Sequence, residues 1–226
     1  MPSIDEMVSR GLRAHLAAAT DAERLGWKVA FNTAAVQERL GLTSSLVARL
    51  TRRTLEPAEA PHRLNGSTRV ALEAEVAVQL GRDVVADAGP DAAAAAVEAW
   101  APAIEIVEFN RPLSELESIL VEGVFHRALR LGPAAAPAPG VDLRGVVARV
   151  RHAGSQLCEV DAGEATGDVS EVLLHLARLL ALHGERLARG DVVILGSMNP
   201  VAFAQPGTEF SLDLAGIGAV SVGLTD

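Results

Sequence analysis

With 226 residues, 49% of them apolar and 22% charged, the chain can build one well-buried core, and global disorder is excluded. A formal net charge of −9, a pI near 5.2 and the lack of any basic run argue against a nucleic-acid binder. The single cysteine, Cys158, rules out an internal disulfide, and no apolar run approaches the ~20 residues of a membrane span.

The N-terminal stretch carries Asp5, Glu6 and Arg10 where a secretory signal would be apolar. A cytoplasmic protein is therefore expected, with neither nucleic acid nor membrane as partner. In chain order, residues 3–19 are predicted helical from Ile4, Met7, Val8, Leu12 and Leu16 at helical spacing. Residues 26–31 form a short apolar strand interrupted by Lys28. Residues 34–40 read as a helix capped by Gly41. Residues 43–66, with Pro57, Pro61 and Gly66, read as loop-rich, a candidate cover over a site. Residues 70–80 alternate apolar and small or acidic positions and make the clearest strand. Pro90 opens a predicted helix over 91–100, and a second strand is expected over 103–107. A short helix is expected to begin at 113–116, residues 119–131 carry no clear pattern, and 134–140 is a Pro/Ala loop. A hairpin is predicted around Ala153-Gly154. Asp168 to Glu171 forms a capping box for a long helix that Gly184 stops, and the remainder is strand and turn. The sum is an α+β domain with helices packed on a curved sheet.

Two features carry chemistry. Glu73 and Glu75 lie two apart on one strand, so both project from one face, while Leu72, Ala74, Val76, Val78 and Leu80 form the opposite, core face. An E-x-E pair alone equally suits a solvated outer face. Glu105, however, lies in the apolar run Ala-Pro-Ala-Ile-Glu-Ile-Val (101–107), where a charge must be paired or bound to a metal. Three carboxylates brought together would repel, a divalent cation would relieve that, and all-oxygen ligation selects Mg²⁺ or Mn²⁺. The second feature is Lys28, the one lysine beside 19 arginines. Lysine is a compact point charge with a tunable pKa, so its retention here marks Lys28 as a candidate functional residue.

The series Gly-Trp-Lys (26–28), Leu-Glu-Ala-Glu-Val-Ala (72–77), Leu-Gly-Arg-Asp (80–83), Ala-Pro-Ala-Ile-Glu-Ile-Val (101–107) and Gly-Asp-Val-Val-Ile-Leu-Gly-Ser (190–197) resembles the fumarylacetoacetate hydrolase superfamily. Within it the chain is most similar to the 2-keto-4-pentenoate hydratase and 4-oxalocrotonate decarboxylase branch. The resemblance implies a mixed rolled β-sheet with flanking helices, taking residues 67–226 as the catalytic domain and 1–66 as an N-terminal helical and covering segment, or else one continuous domain. It implies a divalent cation on Glu73, Glu75 and Glu105, Lys28 as the active-site lysine, and Ser197 near the substrate carboxylate. It also implies a small 2-oxo acid substrate that chelates the cation, hydration or decarboxylation through a metal-stabilised enolate, and a homo-oligomer, dimeric or larger. C–C hydrolysis, an oxaloacetate-type decarboxylation or tautomerisation, and a non-catalytic descendant of the fold are the alternatives.

Two segments depart from that pattern. Residues 43–51 lack the family's Pro-Asp-Phe/Tyr-Gly, and residues 122–127 read Glu-Gly-Val-Phe-His-Arg where Asp-Asn-Ala-Ser is usual. Within the second, His126 is a candidate general base, Arg127 a candidate receptor for a distal carboxylate, and Glu122 a candidate acid. The other five histidines read as structural or surface residues, and Glu108 and Asp83 as supporting or turn residues.

Overall fold

The computed structural model describes residues 3–18, 23–136 and 142–226, so the expectations at Ala19 and over 137–140 lie outside the described residues. The first helix, α1 (Ile4–Ala18), is followed by strand β1 (Arg24–Ala30) and helix α2 (Ala34–Leu40). Gly41 closes α2 in the left-handed conformation at φ 66°, the C-cap its sequence predicts. Next come β2 (Leu46–Thr51), a 3₁₀ turn (Arg52–Thr54), β3 (His62–Arg63), β4 (Val70–Leu80), α3 (Pro90–Ala94) and β5 (Val97–Glu108). Helix α4 (Leu116–Val121) leads into β6 (His126–Leu131) and the hairpin β7 (Val147–His152) and β8 (Ser155–Asp161). Helices α5 (Ala162–Thr166) and α6 (Val169–Ala181) precede β9 (Val192–Ile194), β10 (Ala202–Phe203), β11 (Glu209–Leu214) and β12 (Gly218–Thr225). Asp168 caps α6 as expected, accepting from the backbone N–H groups of Ser170 and Glu171.

The larger sheet runs β2-β1-β9-β4-β5-β6, with β10 also pairing β4. It is mixed, because β1 and β9 run parallel while its other pairs are antiparallel. It also curls. Beyond β2 the chain reaches the far edge, where Leu55 bridges Leu129 of β6 and the Glu56 N–H donates to the Leu129 carbonyl at 2.9 Å. The two edges thus meet at that end. A second sheet, β3-β12-β11-β7-β8, packs against the outer face, and α6 adds its Leu173, Leu176 and Leu180 to the same core. The alternation of β4 sends Leu72, Ala74, Val76, Val78 and Leu80 into that core, as predicted.

The inner face of the curl is closed by two smaller apolar clusters. One contains Leu50, Ala77, Ala101, Ala103, Leu129 and Ile194, and the other Leu46, Ala48, Ala71, Val107, Val124 and Phe125. Ala48, Ala71, Ala77, Ala101 and Ala103 intersperse the larger side chains, because the inside of a tight curl has limited room. The face bearing Glu73 and Glu75 is therefore interior, and the solvated-face reading of the pair does not hold.

Three sequence expectations need correction. Residues 43–66 are not simply a loop-rich cover, since β2 is a buried strand. Arg49 obscured it; that arginine is only 3% exposed, lies over the Trp27 ring and is bound to Glu185. The predicted helix over 91–100 stops at Ala94. Its alanines favour helix, but from Val97 the backbone pairs with β4, Val97 opposite Leu80 and Trp100 opposite Val78, and pairing overrides propensity. Strand β5 consequently spans twelve residues rather than five. The short helix expected to begin at 113–116 does begin there, at Leu116, as α4, and the unassigned 119–131 contains the second half of that helix and β6.

Gly26 is required by close approach. A Cβ there would fall on the backbone of Val192 in the paired strand β9. Gly26→Ala is expected to push β1 from β9 and lower stability by about 3 kcal/mol, read from the urea midpoint.

Candidate metal centre

Register brings the acids together. Glu73 of β4 stands directly opposite Glu105 of β5, and Glu75 stands opposite Ala103. Like charges placed opposite one another destabilise a sheet, so this pairing needs a compensating reason. Carboxylate oxygens of Glu73, Glu75 and Glu105 all lie within 4.8 Å of one another. Glu75 and Glu105 are 1% and 0% exposed.

Lys28 joins them across the curl. Strand β1 is three steps from β5 in the sheet order, about 14 Å at the usual ~4.8 Å strand spacing, beyond a lysine's span in a flat sheet. Its buried ammonium nevertheless donates to Oε1 of Glu105 and, at 3.1 Å, to the Val124 carbonyl. That carbonyl is aimed by an unusual turn. Gly123, Val124 and Phe125 have φ of 77°, 53° and 65°, three consecutive left-handed residues, one of them β-branched.

The electrostatics divide the three carboxyls. Burial and then the Glu105 charge raise Glu73 to about 7. Burial, then the charges of Glu105 and Glu73, push Glu75 well above the usual range. Burial would raise Glu105 too, but the Lys28 charge and a hydrogen bond from His126 outweigh it and hold Glu105 near 2. For Lys28, burial works against the charged form, yet Glu105, Glu73 and Glu75 together raise its pKa, so it stays an ammonium.

One atom decides what this balance can accept. Glu105 Oε1 takes both Lys28 and the Nδ1 of His126, the latter at 2.7 Å, whereas among the described residues no N–H group donates to the buried Oε2. Glu75 Oε2 accepts the Gly196 N–H at 2.7 Å. A buried anionic oxygen without a donor, facing two carboxyls pushed toward protonation, fits a hard divalent cation held by all-oxygen ligands.

The strand between the acids and Ser197 is locally rebuilt. Strand β9 pairs β4 at Ala77–Gln79 and β10 pairs it at Ala71–Leu72, leaving the backbone at Glu73 between them. Asn199 fills that gap, its side-chain oxygen accepting from Ala74 N–H at 2.6 Å and its amide donating to the Leu72 carbonyl at 3.1 Å. At Gly196, φ 108°, the chain bows away and turns its N–H onto Glu75; any Cβ there would strike Asn32. The Asn-Pro at 199–200 signals a turn in the sequence, but nothing there reveals the bracing of Glu73.

The acids form the end of a cleft of roughly 650 Å³, its open mouth included, lined also by Lys28, Ser197, Asn32 and an apolar wall. The remaining candidates fall elsewhere. His126 is not among the cleft-lining residues; its Nδ1 is on Glu105 and its Nε2 lies 2.8 Å from the Thr54 hydroxyl, so it orients Glu105 rather than facing a substrate. Arg127 likewise does not line the cleft, because its guanidinium is held by Glu108 at 3.0 Å and by the His126 carbonyl. Glu122 is bound to Arg111 and Asn110, outside the cleft. Glu108, read as a supporting residue, also accepts from Ser67, and Asp83 accepts from the Arg189 N–H at a turn. Among the described residues no helix is long and apolar enough to cross a membrane.

Known proteins show the same arrangement of chain. The chain is 24% identical over 206 residues to a 4-oxalocrotonate decarboxylase of a Pseudomonas species, covering 90% of this chain and 80% of that one. It is 26% identical over 200 residues to the TodF product hydratase of Pseudomonas putida, covering 87% and 75%. In three dimensions it is similar to 4-oxalocrotonate decarboxylase from Pseudomonas putida G7, solved with magnesium and adipate, with a TM-score of 0.80, 16% identity and 99% of each chain covered. Residues 11–224 match the fumarylacetoacetate (FAA) hydrolase C-terminal family, and the chain belongs to it.

Proposed function

We propose that the protein is a metal-dependent lyase that hydrates or decarboxylates a small 2-oxo or 2-hydroxydienoic acid, with Glu73, Glu75 and Glu105 holding Mg²⁺ or Mn²⁺. The observation that carries this reading is the buried Oε2 of Glu105, to which no N–H group of the described residues donates, beside two carboxyls raised by burial and mutual repulsion. The names of its relatives, a decarboxylase and a hydratase, support the reaction class. When bound, a divalent cation supplies Lewis-acid polarisation of a 2-oxo group and its carboxylate.

The chain's own residues do the rest. Lys28 keeps a protonated amine at the closed end of the cleft, where it offsets negative charge and donates rather than accepts a proton. His126 fixes which oxygen of Glu105 faces the cleft. The Ser197 hydroxyl, now donating to the Asn199 carbonyl at 3.2 Å, lies on the lining where it can turn to a substrate carboxylate.

The test has two steps. Metal-stripped protein should take up one Mn²⁺ per chain by electron paramagnetic resonance titration, and Glu105→Gln should weaken that uptake at least ~100-fold, since it neutralises one of the three clustered carboxylates. Mn²⁺-loaded protein should then turn over 2-hydroxypenta-2,4-dienoate or release CO₂ from an oxalocrotonate-type acid. Metal bound but no turnover across a broad 2-oxo acid panel would leave a binding protein and end the lyase reading.

A further inference from the structure

Beyond the acids, the cleft has a distinct chemistry. Its lining includes Phe31, Val36, Val107, Phe109, Val124 and Phe125. The chain has five phenylalanines, two tryptophans and no tyrosine, so three phenylalanines on one wall is a concentrated use of scarce aromatic surface. Phe109 meets Phe125 edge to face with ring centres 5.2 Å apart, and Phe203, half-exposed, backs Phe109 at 6.2 Å in the same geometry. Phe31 and Phe125 hold their places at positive φ, 53° and 65°, a conformation that bulky residues rarely adopt and that persists only where packing enforces it. The wall is rigid and apolar.

Charge in the cleft is equally one-sided. Among the described residues that line it, Lys28 is the one cation, and it is already engaged by Glu105. Arg127 and Arg111, on neighbouring segments, are bound to Glu108 and to Glu115 and Glu122 respectively. Three carboxylates, one ammonium and a divalent cation cancel in formal charge. A substrate carboxylate at the metal end therefore already makes the site anionic. A second carboxylate, further along the molecule, would lie against phenyl and isopropyl groups with no partner. The uncharged Asn32, Thr33 and Ser197 offer hydrogen bonds but no counter-charge.

We propose that the site selects 2-oxo acids with a single carboxylate and an uncharged, apolar tail laid on Phe31, Phe109 and Phe125, and discriminates against dicarboxylic 2-oxo acids. This rests on the metal-site reading and deepens it by favouring its hydration arm, since an oxalocrotonate-type acid carries the second carboxylate that this cleft does not pair. The matched pair 2-oxohexanoate and 2-oxoadipate isolates the point, since both have six carbons and differ in a terminal methyl against a terminal carboxylate.

Isothermal titration calorimetry on Mn²⁺-loaded protein should show oxalate binding, which reports the metal end alone. It should show 2-oxohexanoate binding at least about tenfold more tightly than 2-oxoadipate, as the terminal methyl on the wall is worth roughly fourfold and the carboxylate in its place only costs. In Phe109→Ala that ratio should fall toward one, and in Phe109→Leu it should be largely restored. Oxalate binding with equal or tighter binding of 2-oxoadipate would overturn the inference while leaving the metal centre intact. A wild-type ratio retained in Phe109→Ala would overturn the role of the wall. No oxalate binding under saturating Mn²⁺ would overturn the metal-site reading itself, and the inference with it.

Discussion

Lys28→Met is expected to lower turnover by roughly 10²–10⁴ while one Mn²⁺ site per chain is kept. The ammonium is 2% exposed and bound to Glu105 and the Val124 carbonyl, so its loss removes the cleft's own positive charge without removing a metal ligand. In the metal-free protein the effect is on stability. Glu105 would keep only His126 as a donor in a fully buried site, and breaking such a pair costs about 3–5 kcal/mol. Added Mn²⁺ should restore most of that, because the cation supplies the missing counter-charge. Lys28→Arg should not rescue turnover. A planar guanidinium cannot take the place of a point charge between one carboxylate oxygen and one carbonyl. Steady-state kinetics with thermal melts, each with and without Mn²⁺, would measure both effects. Turnover within tenfold of wild type in Lys28→Met would remove the lysine from the mechanism.

The second large effect is in pH. Without metal, Glu73 titrates near 7 in the folded protein against an ordinary 4.5, burial being the larger cause and the Glu105 charge the next. The folded state then holds a proton that the unfolded chain releases. Stability is highest below about pH 4.5 for this group and falls as pH rises toward 7, by about 3 kcal/mol. Glu75 acts in the same direction. Glu105 acts in the opposite sense but in another window. Its folded carboxyl is near 2, so its contribution is present above 4.5 and is lost only as pH falls toward 2. Between about pH 5 and 7 the metal-free protein should therefore melt at progressively lower temperature. Bound metal requires ionised carboxylates, so its binding releases protons and its affinity rises over the same interval. The melting temperature with saturating Mn²⁺ should not fall there, and Glu73→Gln should flatten the metal-free slope. A metal-free melting temperature that climbs from pH 5 to 7 would contradict the electrostatics of the three acids.

Much of the architecture could be read from local pattern. Alternation over Val70–Leu80 assigned the core face, Asp168 placed the start of α6, Gly41 closed α2, and Ala153-Gly154 turned the hairpin, all because these signals act within a few residues. Where a long-range partner decided the outcome, local pattern misled. The alanines before Val97 favour helix, and Arg49 breaks an otherwise apolar strand, yet pairing with β4 and a buried bond to Glu185 settle both.

The same division runs through the site. That Glu105 could not be a free charge followed from its apolar neighbours, and Lys28 stood out as the one lysine in an arginine-rich chain. Nothing in the order of residues shows that Glu73 faces Glu105, that a curl carries Lys28 across three strands, or that Asn199 stands in for a strand beside Glu73. Nor does it show that His126 and Arg127 are turned to Glu105 and Glu108 rather than to the cleft. Composition and spacing thus determined which residues carry unusual chemistry, since the cost of burying a charge depends on immediate neighbours. Which of them meet was decided by sheet register and curl, which depend on contacts between residues far apart in the chain.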